Sequence, residues 1–148
     1  MSRTNTDLLD SSEASGADVR RRLDTDIVGW FVTTRVGGRP HAVPVWFLWR
    51  GDRALIMSEP KTVKVANVRR SPHALLHLHT DETGNGVVVL TGTATISDRP
   101  STQWLDEIGA DYTAKYAEGM KSFGMGLEAI AQQFSTVIEF RPESLTAC

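Results

Sequence analysis

The chain has 148 residues, 41% of them hydrophobic, and a formal net charge of -2, which suits a single domain with a real core. No apolar run approaches the roughly 20 residues of a membrane helix, residues 1–18 lack the apolar stretch of a signal peptide, and the slightly acidic balance argues against nonspecific nucleic-acid binding. The expectation is a cytoplasmic protein with neither membrane nor nucleic acid as partner, and its single cysteine, Cys148, excludes an internal disulfide.

Residues 1–17 are rich in Ser, Asp, Glu and Thr, with Leu8 and Leu9 as their apolar pair. They read as a flexible tail, leaving residues 18–148 as the folded domain. Asp18–Leu23 suits a short helix, because Asp18 stands near its start and Arg20, Arg21 and Arg22 near its end, matching the helix dipole. From Gly29 to Arg35 the aromatic and β-branched content predicts a strand, and Gly37-Gly38 predicts a hairpin turn into a second strand over His41–Trp49. Pro44 within that strand removes a ladder donor and marks an edge or a bulge. A turn at Arg50–Arg53 leads to a third strand, Ala54–Ser58.

The segment that follows, K-T-V-K-V-A-N-V-R-R at 61–70, predicts a helix with Val63, Ala66 and Val68 toward the core. Lys61, Lys64, Asn67 and Arg70 recur every third residue and form one slanted polar row. Four cations, Lys61, Lys64, Arg69 and Arg70, make a local positive field in an acidic chain. The helix start adds free N–H groups and the hydroxyls of Ser58 and Thr62, which is equipment for gripping a phosphate; a solvated basic face is the plainer reading.

Ser71-Pro72 stops the helix. His73–Thr80 and Val87–Ser97 predict a fourth and a fifth strand around a loop at Asp81–Gly86, and Gly92 inside the fifth marks a bend or a close backbone approach. Thr102–Ala117 has helical period, with Trp104, Ile108, Tyr112 and Tyr116 four apart, and glycines at 119, 124 and 126 are expected to break it. A shorter helix over Leu127–Gln133 and a last strand over Ser135–Phe140 complete the expected fold. It is α+β and mainly β: six strands with a short helix after strand 3 and C-terminal helices, a pattern that favours a small closed barrel.

In this order the elements resemble the pyridoxamine 5′-phosphate oxidase-like superfamily of split β-barrels, and more closely its branch that uses the deazaflavin F420; the resemblance implies a six-stranded split β-barrel with a short helix after strand 3 and C-terminal helices. The likeness is carried by G-W-F-V-T-T-R-V-G-G-R-P-H-A-V-P-V-W-F-L-W, by S-E-P-K-T-V-K-V-A-N-V-R-R-S-P and by V-V-V-L-T-G-T-A-T-I. It implies a cofactor phosphate held by Thr62 and Lys64 with Lys61, Asn67 and Arg70 as helpers. It also implies a ring along Pro44, Val45 and Trp46 with Met57 and Ser58 at its other edge, and D-Y-T-A-K-Y at 111–116 as a helix over the active site. Position 63 is Val where flavin-using oxidases tend to place Arg, and residues 144–148, S-L-T-A-C, lack those oxidases' Arg; both count against oxidase activity. The implied cofactor is F420, with FMN as the alternative. The implied activity is hydride transfer to a small organic acceptor such as an enone, a quinone or a tetrapyrrole, and the rival is a non-enzymatic binder of F420, flavin or haem.

The resemblance also implies a homodimer with sites between subunits. The surplus of aromatics at Trp30, Phe31, Trp46, Phe47 and Trp49 agrees with it, because it exceeds what one small barrel interior needs. The alternative is that Trp104, Tyr112 and Tyr116 cover them within one chain. His73, His77 and His79 would share one face of a regular strand, yet with no carboxylate or cysteine beside them no metal site is expected. Nucleophile-elbow, Rossmann and Walker A sequences are absent. F420 chemistry needs position, a dry pocket and at most one proton donor. Tyr112, Lys115, Tyr116 and water are the candidates, and no catalytic residue is assigned.

Overall fold

The computed structural model describes Leu9 and residues 14–148. The aromatic and β-branched runs become one antiparallel sheet: β1 Val28–Thr34, β2 Pro40–Trp46, β3 Leu48–Trp49, β4 Ala54–Ser58, β5 His73–His77, β6 Val88–Ile96 and β7 Thr136–Ala147. The four helices among the described residues are α1 Ala14–Thr25, α2 Val63–Arg70, α3 Ser101–Phe123 and α4 Leu127–Gln133.

The strands run in the order β2-β1-β5-β6-β7-β4-β3. The two edge strands, β2 and β3, are separated by one residue, Phe47. A sheet whose opposite edges are joined by a single residue has to curl until those edges meet, and the result is a barrel open along one seam. This also explains why seven strands are found where six were expected: the run His41–Trp49 changes partner at Phe47, from β1 to β4. Phe47 leaves the ladder at that point, and the Tyr116 hydroxyl takes over, accepting from its N–H and lying 2.8 Å from its carbonyl oxygen. Lys115 Nζ donates to the same carbonyl at 2.7 Å. Pro44, as expected of a strand proline, lies on an edge strand.

Apolar side chains fill both faces of the sheet. Inside the barrel Phe31, Phe47, Ile56, Leu76, Leu90, Ile138 and Phe140 form one core, closed at its ends by Val19 and Leu23 of α1 and by Val65 and Val68 of α2. Leu48, Leu55 and Val137 on the opposite face are covered by Trp104, Ile108, Tyr112, Tyr116 and Met120 of α3 and Ile130 of α4. Each buried aromatic or branched side chain of this kind contributes roughly 1.5–3 kcal/mol.

Several boundaries differ from the sequence expectation. α1 begins at Ala14, four residues before Asp18, and of the expected tail the structure also describes Leu9, which is 2% exposed within the barrel core; Leu8 and the rest of residues 1–13 lie outside the described residues. α3 continues through Gly119 and stops at Gly124, a left-handed C-cap with φ 68°. In α2 the buried positions are Val65, Asn67 and Val68, in place of Val63, Ala66 and Val68. The helix is turned because Asn67 is satisfied indoors: its amide donates to Thr33 Oγ1 at 2.9 Å and its oxygen accepts from Arg70. β7 runs past Pro142, which sits opposite Gly92 at a register shift in the β6–β7 ladder. A side chain at 92 would overlap the Arg141 carbonyl, the close backbone approach expected there. Among the described residues no helix is long and apolar enough to cross a membrane.

Candidate cofactor site

The seam of the barrel holds a cleft of about 410 Å³, within the range of small-molecule sites. Edge strand β2 supplies Pro44, Val45 and Trp46; the end of β4 supplies Met57 and Ser58; the turn and first residues of α2 supply Glu59, Thr62 and Lys64. α3 contributes Tyr112 and Phe123, and beyond it Met125, Ile130, Gln133 and Phe134 form the far wall. Sequence and topology meet here, since β2 is an edge strand and β4 runs on past its two-residue pairing with β3, leaving Ile56–Ser58 without a ladder partner on the side of the seam.

Seven of the ten residues expected at the cofactor, Pro44, Val45, Trp46, Met57, Ser58, Thr62 and Lys64, line this cleft. Asn67 and Arg70 line a separate, open hollow beside the β1–β2 hairpin with Arg35, Val36, Gly37 and Arg39. Both are occupied in holding α2 to β1, Asn67 through Thr33 and Arg70 through the Thr34 carbonyl. Lys61 is exposed and lines neither. Glu59, Phe123, Met125, Ile130, Gln133 and Phe134 were not anticipated; Glu59 lies in the turn before α2 and Phe123 ends α3, and the loop and short helix that hold the other four enter the site only through tertiary packing.

The mouth of the cleft is a helix start with donors to spare. Thr62 is the N-cap of α2, its Oγ1 accepting from the Val65 N–H at 3.4 Å and lying 3.0 Å from Ser58 Oγ. The N–H groups of Val63 and Lys64 meet no acceptor among the described residues. The Lys64 ammonium has no ion-pair partner there either; burial lowers its pKa from the ordinary lysine value, and Glu59 opposes that shift. Glu59 itself turns across the cleft to Gln133, 3.1 Å away. Behind Lys64, burial and then the charges of Arg35 and Lys64 hold the His41 imidazole below its usual range, and its Nδ1 is buried without a partner. Unused backbone donors, two hydroxyls and a cation, with Glu59 as the opposing charge beside them, fit a phosphate.

The remaining walls are apolar and aromatic. The Trp46 ring stacks on Tyr116, with centroids 4.5 Å apart and planes within 11°, and meets Phe123 edge-on at 5.5 Å. Among the proposed proton donors, Lys115 and Tyr116 are bound to backbone carbonyls of Leu23, Ile27 and Phe47 and lie outside the cleft. Tyr112 lines it, its hydroxyl makes no hydrogen bond to a described residue, and burial raises its pKa, so it stays protonated. The histidines fall elsewhere: His73 is exposed, His77 stacks on Trp30 within 10°, and His79 Nε2 accepts from Trp30 Nε1 at 3.1 Å. Among the described residues no group of three or more ligating side chains could hold a metal ion.

A barrel left open along one seam, with an aromatic cleft in the seam and a helix N-terminus at its mouth, defines the split β-barrel class. Residues 16–147 match the family described as pyridoxamine 5′-phosphate oxidase, and the chain belongs to that family. Solved structures agree on the fold. A provisionally assigned pyridoxamine 5′-phosphate oxidase from Listeria innocua superposes with a TM-score of 0.65 at 21% identity, covering 91% of this chain and 98% of its own. An F420 reductase gives 0.61 at 18%, covering 86% and 94%, and the haem-storage protein HutZ of Vibrio cholerae gives 0.65 at 16%, covering 88% and 92%. No curated protein matches the chain.

Proposed function

We propose that this protein is an F420H2-dependent reductase that delivers hydride to a small, flat organic acceptor. The observation that carries the reading is the union, in one cleft, of a phosphate-type helix start at Thr62–Lys64 with an apolar aromatic trough walled by Trp46, Tyr112 and Phe123. When bound, the reduced deazaflavin supplies the hydride. The chain's part is then to hold the phosphate, seat the ring against β2, keep water out and offer a proton from the Tyr112 hydroxyl. The resemblance of the three sequence segments and of D-Y-T-A-K-Y at 111–116 to the F420-using branch, and the similarity to an F420 reductase, support this choice of cofactor. Val63, 40% exposed at the start of α2, stands where an arginine would suit an FMN oxidase.

FMN is the alternative, because the same cleft would take an isoalloxazine ring. Haem is less well served, since none of the described lining residues is His or Cys. Titration of the purified protein with F420 and with FMN separates the readings. Tight FMN binding without affinity for F420 overturns the proposal. Binding of F420H2 with no oxidation of it by a panel of quinones, enones and tetrapyrroles makes the protein a binder and not an enzyme.

The working unit is proposed to be a homodimer with a site at each subunit border. Of the surplus aromatics, Phe31, Phe47 and Trp49 are buried in the barrel core, and Trp46 is packed on α3. Trp30 remains. It lies half-buried on the outer face of β1 between Val28 and Val32, with Leu75 and His77 of β5 alongside. A second copy covering this row would also border β2, the strand that lines the cleft.

A further inference from the structure

Tyr112, Tyr116, Gly119 and Phe123 follow one another at spacings of four, three and four along α3, so they share one face. Tyr112 and Phe123 line the cleft, but Tyr116 and Gly119 between them do not. The Trp46 indole lies over both. It stacks on the Tyr116 ring, abuts Phe123, and passes so close to Gly119 that a Cβ there would stand 2.7 Å from Cη2 and Cζ2. Trp46 is thus a slab laid against α3, one face on the helix and its surroundings open to the cleft.

We propose that Gly119 is the specificity-determining residue of the cleft, because its lack of a side chain lets Trp46 lie back against α3 and so sets the width available to a ring system. The inference rests on the reading of the cleft as a seat for a planar cofactor and acceptor. Glycine is a poor choice in the interior of a helix, so its presence at 119 needs a reason beyond the helix itself. The approach of the indole supplies one. Tyr116 blocks one flank of the ring and Phe123 its edge, so a methyl group at 119 drives Trp46 away from the helix and into the cleft. Removing the indole has the opposite effect and uncovers Tyr116 and Gly119 as new lining.

The test compares Gly119→Ala, Trp46→Ala and the double variant with the wild type, using F420 and FMN separately as probes, and follows the tryptophan indole N–H resonances, with Trp46 assigned from Trp46→Phe. In Gly119→Ala the Trp46 resonance should shift while those of Trp30, Trp49 and Trp104 stay, and affinity for whichever probe the wild type binds should fall at least tenfold. With alanine at 46, the change at 119 should have no further effect, the non-additivity expected of two groups in contact. An unmoved Trp46 resonance with unchanged affinity and the higher melting temperature of an ordinary helical Gly→Ala change overturns the proposal. If Gly119→Ala does not fold, normal folding of the double variant supports the same clash, and its failure to fold overturns it. Should neither probe bind the wild type, the cofactor reading falls on that result alone, and the Trp46 resonance still decides whether Gly119 holds the ring back.

Discussion

Lys64 combines a half-buried ammonium with the start of a helix whose first N–H groups have no acceptor among the described residues. Lys64→Ala is expected to weaken F420 binding by about 1.5–3 kcal/mol, the range for a hydrogen bond to a charged group, with the melting temperature little changed; calorimetric titration measures it, and wild-type affinity would put the phosphate elsewhere. Tyr112 is separable from that grip. It lines the cleft and its hydroxyl makes no hydrogen bond to a described residue, so Tyr112→Phe should leave cofactor affinity intact while lowering the rate of F420H2 oxidation by about 10²-fold, the lower end for general acid catalysis. An unchanged rate would assign the proton to water. These residues were legible in the sequence to different degrees. Local chemistry marked a helix start with the Ser58 and Thr62 hydroxyls and a run of cations as suited to a phosphate, whereas the choice of Thr62 and Lys64 within it came from the family resemblance. Asn67 and Arg70 fit the same row yet serve another purpose, since nothing in the local spacing reveals that Thr33 and the Thr34 carbonyl wait on β1.

At the scale of elements, the β6–β7 ladder depends on Gly92. A methyl group there meets backbone, not a side chain that can swing away, so Gly92→Ala should cost roughly 3 kcal/mol in urea unfolding. The join between β2 and β3 depends on α3. Lys115 lies half-buried over the Phe47 ring, and that burial draws its pKa from 10.5 down to about 8, against the pull of Asp24 and Asp26. Between those values the unfolded chain keeps a proton that the folded chain has released, so stability should rise with pH from about 8 to 10. Above that the buried Tyr112 and Tyr116, whose pKa values are raised, reverse the trend, because the unfolded chain then ionises first. Urea unfolding at pH 8 and 9.5 should show the rise in the wild type and lose it in Lys115→Met. The strand break that Lys115 secures could not be read from V-P-V-W-F-L-W. Every residue there is apolar, and hydrophobic period does not register a change of partner when both faces are buried. The far wall of the cleft escaped for a related reason: Met125, Ile130 and Phe134 look like ordinary packing of a short helix until α4 is seen beside β4 and β2.

For the molecule as a whole, the outer face around Trp30 is the surface on which two copies are expected to meet. Sedimentation of the wild type should give a dimer, and Trp30→Glu a folded monomer with weakened cofactor binding; a wild-type monomer that binds F420 would remove the partner from the site. The general architecture was open to sequence reading because strand and helix periods alternate cleanly from Gly29 onward, whereas the place of Leu9 in the barrel core depends on contacts with elements far along the chain. The position of β7 has a consequence in time. Formed from residues 136–147, it lies between β6 and β4 and hydrogen-bonds to both, so the two halves of the sheet share no ladder until it arrives. During synthesis the hairpin of β1 and β2 and the pairing of β5 with β6 can form as they leave the ribosome, but the barrel has to wait for its latest strand. Until then the faces that will make the core stand open, and the nascent chain depends on chaperones, or on speed, to reach its fold before it meets another copy of itself.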